Sequence, residues 1–197
     1  MDEYMMDEYT KEKVLERVEN KENNFIRKEL DGYRPNEKII VYEKKNANGL
    51  LHCEDGPACY EFYRDEIYVK YYINGNLHRE NNPAIIHLIC DKVQGVTYLK
   101  NNSLHREDGP ACITKFFEEY IYEGKEHRTD GPALIHYHDE EKTKPGVLMY
   151  YLNGKRHRED GPAIVHLNKN GIFQEMYWYE NGEKIIKLGL NTKSARK

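Results

Sequence analysis

Five histidines recur in one phrase, His-Arg-x-Asp-Gly-Pro-Ala, and imidazole beside carboxylate is the raw material of metal sites and of acid–base catalysis. The copies begin at His52, His78, His105, His127 and His157, and four of them carry the acid, as Asp55, Asp108, Asp130 and Asp160. The second copy reads Asn81-Asn82 where the others have Asp-Gly. A zinc ion needs three or four ligands converging at ~2 Å. Here the histidines are 26, 27, 22 and 30 residues apart, once per unit. If each unit adds two strands, equivalent residues stand ~9–10 Å apart, too far to share an ion. His87, His136 and His166 meet the same objection, and His136 with His138 alone is a poor ligand pair. No nucleophile stands at a unique place, and no GxSxG, P-loop, dinucleotide or HExxH motif occurs. Neither catalysis nor a cofactor or metal is expected. Each motif imidazole is expected instead to bond a backbone carbonyl or the motif Asp and so tie down a turn.

The rest of the phrase reads as backbone chemistry. Gly56, Gly109, Gly131 and Gly161 are expected to supply positive φ. Pro57, Pro83, Pro110, Pro132 and Pro162 fix the residue before the next strand. The alanine that follows admits close approach. Arg106, Arg128 and Arg158 each stand two residues before an Asp, to pair with it or to line one edge as a contact stripe for a partner. Tyr71, Tyr98, Tyr120, Tyr150 and Trp178 each precede a turn by the same interval and are expected to stack in a row as a recurring aromatic core.

A period in this range marks an array of stacked supersecondary units. Each unit holds two stretches rich in β-branched and aromatic residues. One ends in an Asn-Gly-like turn, as in Val69 to Gly75 or Leu148 to Gly154; the other follows the motif alanine, as in Ala84 to Ile89. Counted from that alanine, the even offsets (Tyr60 and Phe62, Ile86 and Leu88, Ile113, Ile135 and Tyr137, Val165 and Leu167) make one apolar face. About eleven strands follow, antiparallel because the loops are short. The expectation is a mainly β protein, an elongated antiparallel β-hairpin array with a short N-terminal helix. Residues 1–36 form a charged helical cap, 37–189 the array and 190–197 a basic tail. Helical composition runs from an N-cap at Thr10 to Leu30, interrupted by Asn20, Asn23 and Asn24. The cap is expected to shield the first sheet edge.

Charged residues make up 32% of the 197-residue chain and apolar ones 39%, so the core is thin. A net charge of -4 argues against a nucleic-acid partner. No apolar run reaches the ~20 residues of a membrane span. Residues 184–197 hold five bases and no acid, and Lys193, Arg196 and Lys197 within them are further partner-contact candidates. Cys53, Cys59, Cys90 and Cys112 form no CxxC and read as reduced, intracellular thiols.

The units from about Tyr42 to Gly189 resemble the MORN-like repeat families, which share an aromatic strand, an Asn-Gly turn and a second strand, as in Tyr150-Tyr151-Leu152-Asn153-Gly154. The HRxDGPA variant looks like a repeat of large DNA viruses that infect amoebae, and of some bacteria. The resemblance implies a non-enzymatic interaction or scaffold protein, in a host cytoplasm or a virion, with another protein as partner. A peripheral membrane role, or an antitoxin-like grip on a protein partner, is the alternative it carries. Specificity in such an array belongs to the residues that do not recur: Arg64, Asp65 and Glu66, the 139–146 loop and the termini.

Overall fold

The computed structural model describes residues 9–32 and 38–189, with the side chains of 186–189 excepted. The turn expected at Pro35-Asn36 and the tail residues Lys193, Arg196 and Lys197 lie outside the described residues. The chain divides into two compact units, Met1–Ser103 and Leu104–Lys197. Both are antiparallel β structure, and the single α-helix among the described residues is N-terminal and short.

In the first unit, α1 (Lys11–Glu19) starts where Thr10, in extended backbone, accepts the Lys13 amide on its side chain. It stops earlier than its composition suggests. Asn20 is extended, its side chain takes the Glu22 amide over a single 3-10 turn, and Asn24 sits in the left-handed region at φ 54°. The stretch expected to continue as helix becomes β1 (Ile26–Asp31), which pairs with β2 (Lys38–Glu43). β3 (Cys59–Tyr63) and β4 (Glu66–Lys70) follow, then a two-residue hairpin of β5 (Tyr72–Ile73) and β6 (Asn76–Leu77), then β7 (Ile85–Ile89) and β8 (Lys92–Thr97). The unit's sheet runs β1-β2-β3-β4-β7-β8. β9 (Leu99–Lys100) and β10 (Ser103–Leu104) close it.

The register explains the core. Tyr42, Tyr60, Val69, Ile86 and Val96 stand opposite one another across five strands, and Phe62, Ile67, Leu88 and Val93 form the next row. All nine are buried. Helix α1 lies on this face and not over the sheet edge. Val14 and Val18 are buried, the Tyr9 hydroxyl meets that of Tyr71, Phe25 packs edge-on against Tyr60, and the Lys11 amide donates to Asp91 Oδ1 at 2.6 Å. The first edge is β1 itself, where the charges of Arg27, Lys28, Glu29 and Asp31 discourage strand addition.

In the second unit the sheet runs β11 (Cys112–Thr114), β12 (Phe117–Glu119), β15 (Leu134–Tyr137), β16 (Pro145–Met149), β19 (Ile164–Leu167), β20 (Phe173–Glu180) and β21 (Glu183–Gly189). Two small hairpins interrupt it: β13 (Ile121–Tyr122) with β14 (Lys125–Glu126), and β17 (Tyr151–Leu152) with β18 (Lys155–Arg156). Ile135, Leu148 and Val165 share a row with Met176, but of these only Val165 is fully buried. The even-offset face is therefore present in both units and deep in the first alone.

The strand count differs from the expected eleven for one reason. The stretch before each motif is not a single strand. It leaves the main sheet at the aromatic position, as at Tyr71, Tyr120 and Tyr150, and the next two residues pair in the small hairpin. Trp178 alone lies inside an unbroken strand, β20.

Candidate functional site

Each small hairpin turns on two residues with positive φ: Asn74 (48°) with Gly75 (82°), Asn153 (52°) with Gly154 (78°), and Glu123 (48°) with Gly124 (74°). This is the type I′ geometry that favours Asn-Gly. Such a turn leaves two amides pointing outward, and the preceding motif receives both. Asn74 N donates to His52 Nδ1 at 3.2 Å, and Gly75 N to the Leu51 carbonyl at 2.8 Å. The same pair recurs four times. His78, His105, His127 and His157 accept through Nδ1 from Asn101, Glu123, Asn153 and Asn181 at 3.1–3.3 Å. The adjoining amides of Asn102, Gly124, Gly154 and Gly182 reach the carbonyls of Leu77, Leu104, Glu126 and Arg156. Imidazole is thus an acceptor that fastens one hairpin to the next. The expected carbonyl or aspartate partner does not apply, because Nδ1 faces a donor. On the ring's far side, Nε2 of His52, His78, His105 and His157 looks toward an exposed glutamate, closest for Glu80 to His78 at 3.2 Å and loosest for Glu159 to His157 at 3.9 Å; His127 has Thr129 in that place.

The aspartates belong to the arginines. Nε of Arg106, Arg128 and Arg158 meets Oδ1 of Asp108, Asp130 and Asp160 at 2.7 Å in each loop, and this bond holds the three carboxyls below the usual carboxylate range. Nη1 of Arg79, Arg106 and Arg128 points at the carbonyl of the motif proline. The guanidinium carbon sits over a ring: Arg79 over Tyr71 at 3.8 Å from the centroid, Arg128 over Tyr120 at 3.9 Å and Arg158 over Tyr150 at 4.0 Å. The expected stack of ring on ring gives way to arginine on ring, since units two strands apart are too distant for their rings to touch. Nor are Arg106, Arg128 and Arg158 an outward stripe; their side chains are only 22%, 21% and 26% exposed.

The motif glycines have a different reason from the one expected. None of Gly56, Gly109, Gly131 and Gly161 has positive φ; that conformation belongs to the hairpin glycines. A Cβ at Gly109, Gly131 or Gly161 would instead stand 3.1–3.2 Å from the arginine Cζ. Glycine is there because a guanidinium lies across the loop. At Gly56 the motif arginine is missing, Cys53 stands in its place, and Arg17 of α1 comes within 3.7 Å of the same point. The alanines Ala58, Ala84, Ala111, Ala133 and Ala163 are all 0% exposed. Pro57 and Pro83 are also fully buried.

The remaining histidines are separately occupied. His87 stacks on Tyr68 and bonds Glu66 at 3.0 Å. His138 reaches the Leu167 carbonyl at 3.0 Å, and His136 points to solvent. Among the described residues, no three His, Cys, Asp or Glu are gathered as a metal site would need. Between successive motif loops of the second unit run open grooves of about 590 and 530 Å³, floored by Tyr150 and Tyr120 and rimmed by exposed carboxylates.

The residues that do not recur collect at the opposite sheet end, in the turns between paired long strands. In the second unit these are the turns at Phe116, at 138–144 and at 168–172. Phe116, Ile172 and Phe173 are 42%, 57% and 48% exposed there. The 139–146 loop is well built: Asp139 Oδ1 takes the amides of Thr143 and Lys144, Lys142 bonds Glu118, and Lys115 faces Glu140. A Cβ at Gly146 would stand 2.8 Å from the exposed His138 ring, which would have to shift. Reading the sequence singled out the loop but not the exposed apolar residues beside it. The clue to them was Phe116 and Ile172-Phe173 at turn positions. Compared with known protein families, curated proteins and solved structures, the chain matches none. Among the described residues no helix is long and apolar enough to cross a membrane.

Proposed function

We propose that this chain is a non-enzymatic, MORN-like repeat scaffold that binds another protein inside a cell or a virion, through the turn end of its second unit. The observation that carries the reading is the division of labour between the sheet ends. At one end the recurring His, Arg, Asp and Tyr side chains bond to the loops and hairpins beside them. At the other, Phe116, Ile172 and Phe173 face solvent next to an ordered, charged loop. Exposed apolar groups rimmed by charge are the usual makeup of a protein-binding patch. A rigid sheet behind them keeps the ordering cost of binding small.

The test is affinity capture from the native source with the full chain as bait, read by mass spectrometry, against a Phe116→Ser/Ile172→Ser/Phe173→Ser variant. The three positions are exposed, so the variant keeps its fold. The expected result is a partner retained by the parent chain and lost by the triple variant. A partner retained equally by both would refute the assignment of the surface.

A further inference from the structure

We propose that the partner grips the second unit with an amphipathic helix, basic along one flank, laid on the sheet face equivalent to the one α1 covers in the first unit. The inference rests on the protein-binding role proposed above and names the element that would fill it. It starts from the equivalence of the two units. Two residues after each motif alanine stand Tyr60 and Ile86 in the first unit and Ile113, Ile135 and Val165 in the second. In the first unit the rows built on these positions are buried throughout, and α1 lies on them with Val14 and Val18, one turn apart, buried. In the second unit the matching row runs from strand to strand as Ile113, Glu118, Ile135, Leu148, Val165 and Met176. Only Val165 in it is buried, and that unit has no helix of its own among the described residues. A sheet hydrophobic on one face is complete only when a second layer covers that face.

Backbone chemistry selects a helix as the cover. β12, β15, β16 and β19 each have a strand on both sides, so their backbone groups have no pairing left to offer a guest. An extended guest on this face would leave its own amides and carbonyls unpaired, whereas a helix bonds its own. The face itself is apolar. Phe173, opposite Leu167, carries it to the turn end, where the exposed Phe116 and Ile172 also lie. Glu118 adds no free charge, because Lys142 at 2.8 Å and the Tyr137 hydroxyl at 3.2 Å take its carboxylate. The rim at the motif end supplies the charge rule. In the first unit Arg17 of α1 comes within 3.7 Å of a Cβ at Gly56, so a helix on this face meets the motif loops. The second unit's loops hold their own arginines, only 21–26% exposed, and present Asp108, Asp130 and Asp160, 79–83% exposed. The complement is lysine or arginine on the helix flank that faces them.

The experiment uses the full chain with photo-reactive benzoylphenylalanine placed at Met176 or, separately, at Phe173, as bait for the native source. Mass spectrometry then locates the crosslinked residues of the partner. They are expected three or four residues apart, along one stripe of a segment with lysine or arginine on an adjoining flank. That segment, made as a peptide, should become helical on binding the parent chain. It should bind Asp130→Asn/Asp160→Asn, checked for folding by circular dichroism, roughly threefold or more weakly. A partner lost by the triple Ser variant but crosslinked at every second residue, or through irregular loops, overturns the helix and leaves the binding surface standing. Equal peptide binding to the parent and the double Asn variant overturns the basic flank. Crosslinks back to this chain, within one copy or between two, overturn the external helix as occupant. A partner retained by the triple Ser variant, or no partner captured, sinks this inference together with the reading it rests on.

Discussion

Gly131→Ala tests the reading of the motif most sharply, because the reason for the glycine has moved from backbone conformation to the guanidinium above it. The new methyl would stand 3.1 Å from Arg128 Cζ, 3.2 Å from Nε and 3.3 Å from Nη2. Arg128 cannot yield without lifting off Tyr120, opening its bond to Asp130 and leaving the Pro132 carbonyl. Lifting off the ring costs ~0.5–2 kcal/mol. The Asp130 contact adds little, since its carboxylate is 79% exposed and screened by solvent. The carbonyl bond adds ~0.5–1.5 kcal/mol. Alanine returns ~0.4–1 kcal/mol by restricting the unfolded chain, as φ here is not positive. The net is a loss of roughly 1–3 kcal/mol, or ~2–4 °C in Tm for each kcal/mol in a chain of this size. Gly56→Ala meets Arg17 only at 3.7 Å, an ordinary contact, and should be neutral or slightly stabilising. Thermal unfolding followed by circular dichroism reads both, and Trp178, the single tryptophan, reports on the second unit. In an Arg128→Met background Gly131→Ala should become harmless. Equal losses at Gly56 and Gly131, or a full loss at Gly131 without Arg128, would refute the reasoning.

Gly154→Ala, at φ 78°, should cost ~1 kcal/mol for the opposite reason, a left-handed backbone, and that cost should not depend on any arginine. His157→Ala removes the acceptor for the Asn181 amide and should cost ~0.5–1.5 kcal/mol, with faster hydrogen exchange at Asn181. Asp108, Asp130 and Asp160 are held below the ordinary value of 3.8, so their contribution is complete above that pH and is lost as pH falls toward their folded values. A triple Asp→Asn variant should be less stable at neutral pH and show a shallower acid limb; an unchanged limb would contradict the pairing. Thiol labelling followed by mass spectrometry should modify exposed Cys90 well before Cys59, whose buried thiol is pushed up to about 12, and the reverse order would contradict the burial.

Much of this was legible in the chain. Asn-Gly pairs called the hairpin turns correctly because only a left-handed pair of residues closes a two-residue hairpin without splaying its strands. The alternation after each alanine called the buried positions Tyr60 and Ile86 in the first unit and Val165 in the second, since side chains in a strand must alternate faces. Several readings failed, three of them for physical reasons that no periodicity carries. Residues 26–31 have helical composition, yet pairing with β2 outweighs propensity, which differs by only ~0.7 kcal/mol among ordinary residues. The motif glycines were credited with positive φ because glycine has two uses, and the sequence does not say which applies. The imidazoles were given an acceptor partner when their partner is a donor, because that partner is an amide in the following hairpin, 18 to 26 residues on. Arg17, standing over Gly56 from a distant helix, leaves no local mark beyond the missing arginine at Cys53.

The claim that recurring residues serve architecture is tested most directly by nitrogen NMR of the histidine rings at neutral pH. Acceptance through Nδ1 requires the Nε2–H tautomer at His52, His78, His105, His127 and His157, with protected amides at Asn74, Asn101, Glu123, Asn153 and Asn181. Five rings in that form, each coupled to its turn amide, are the predicted result. Rings in the Nδ1–H form, with the five amides exchanging as freely as exposed ones, would contradict it.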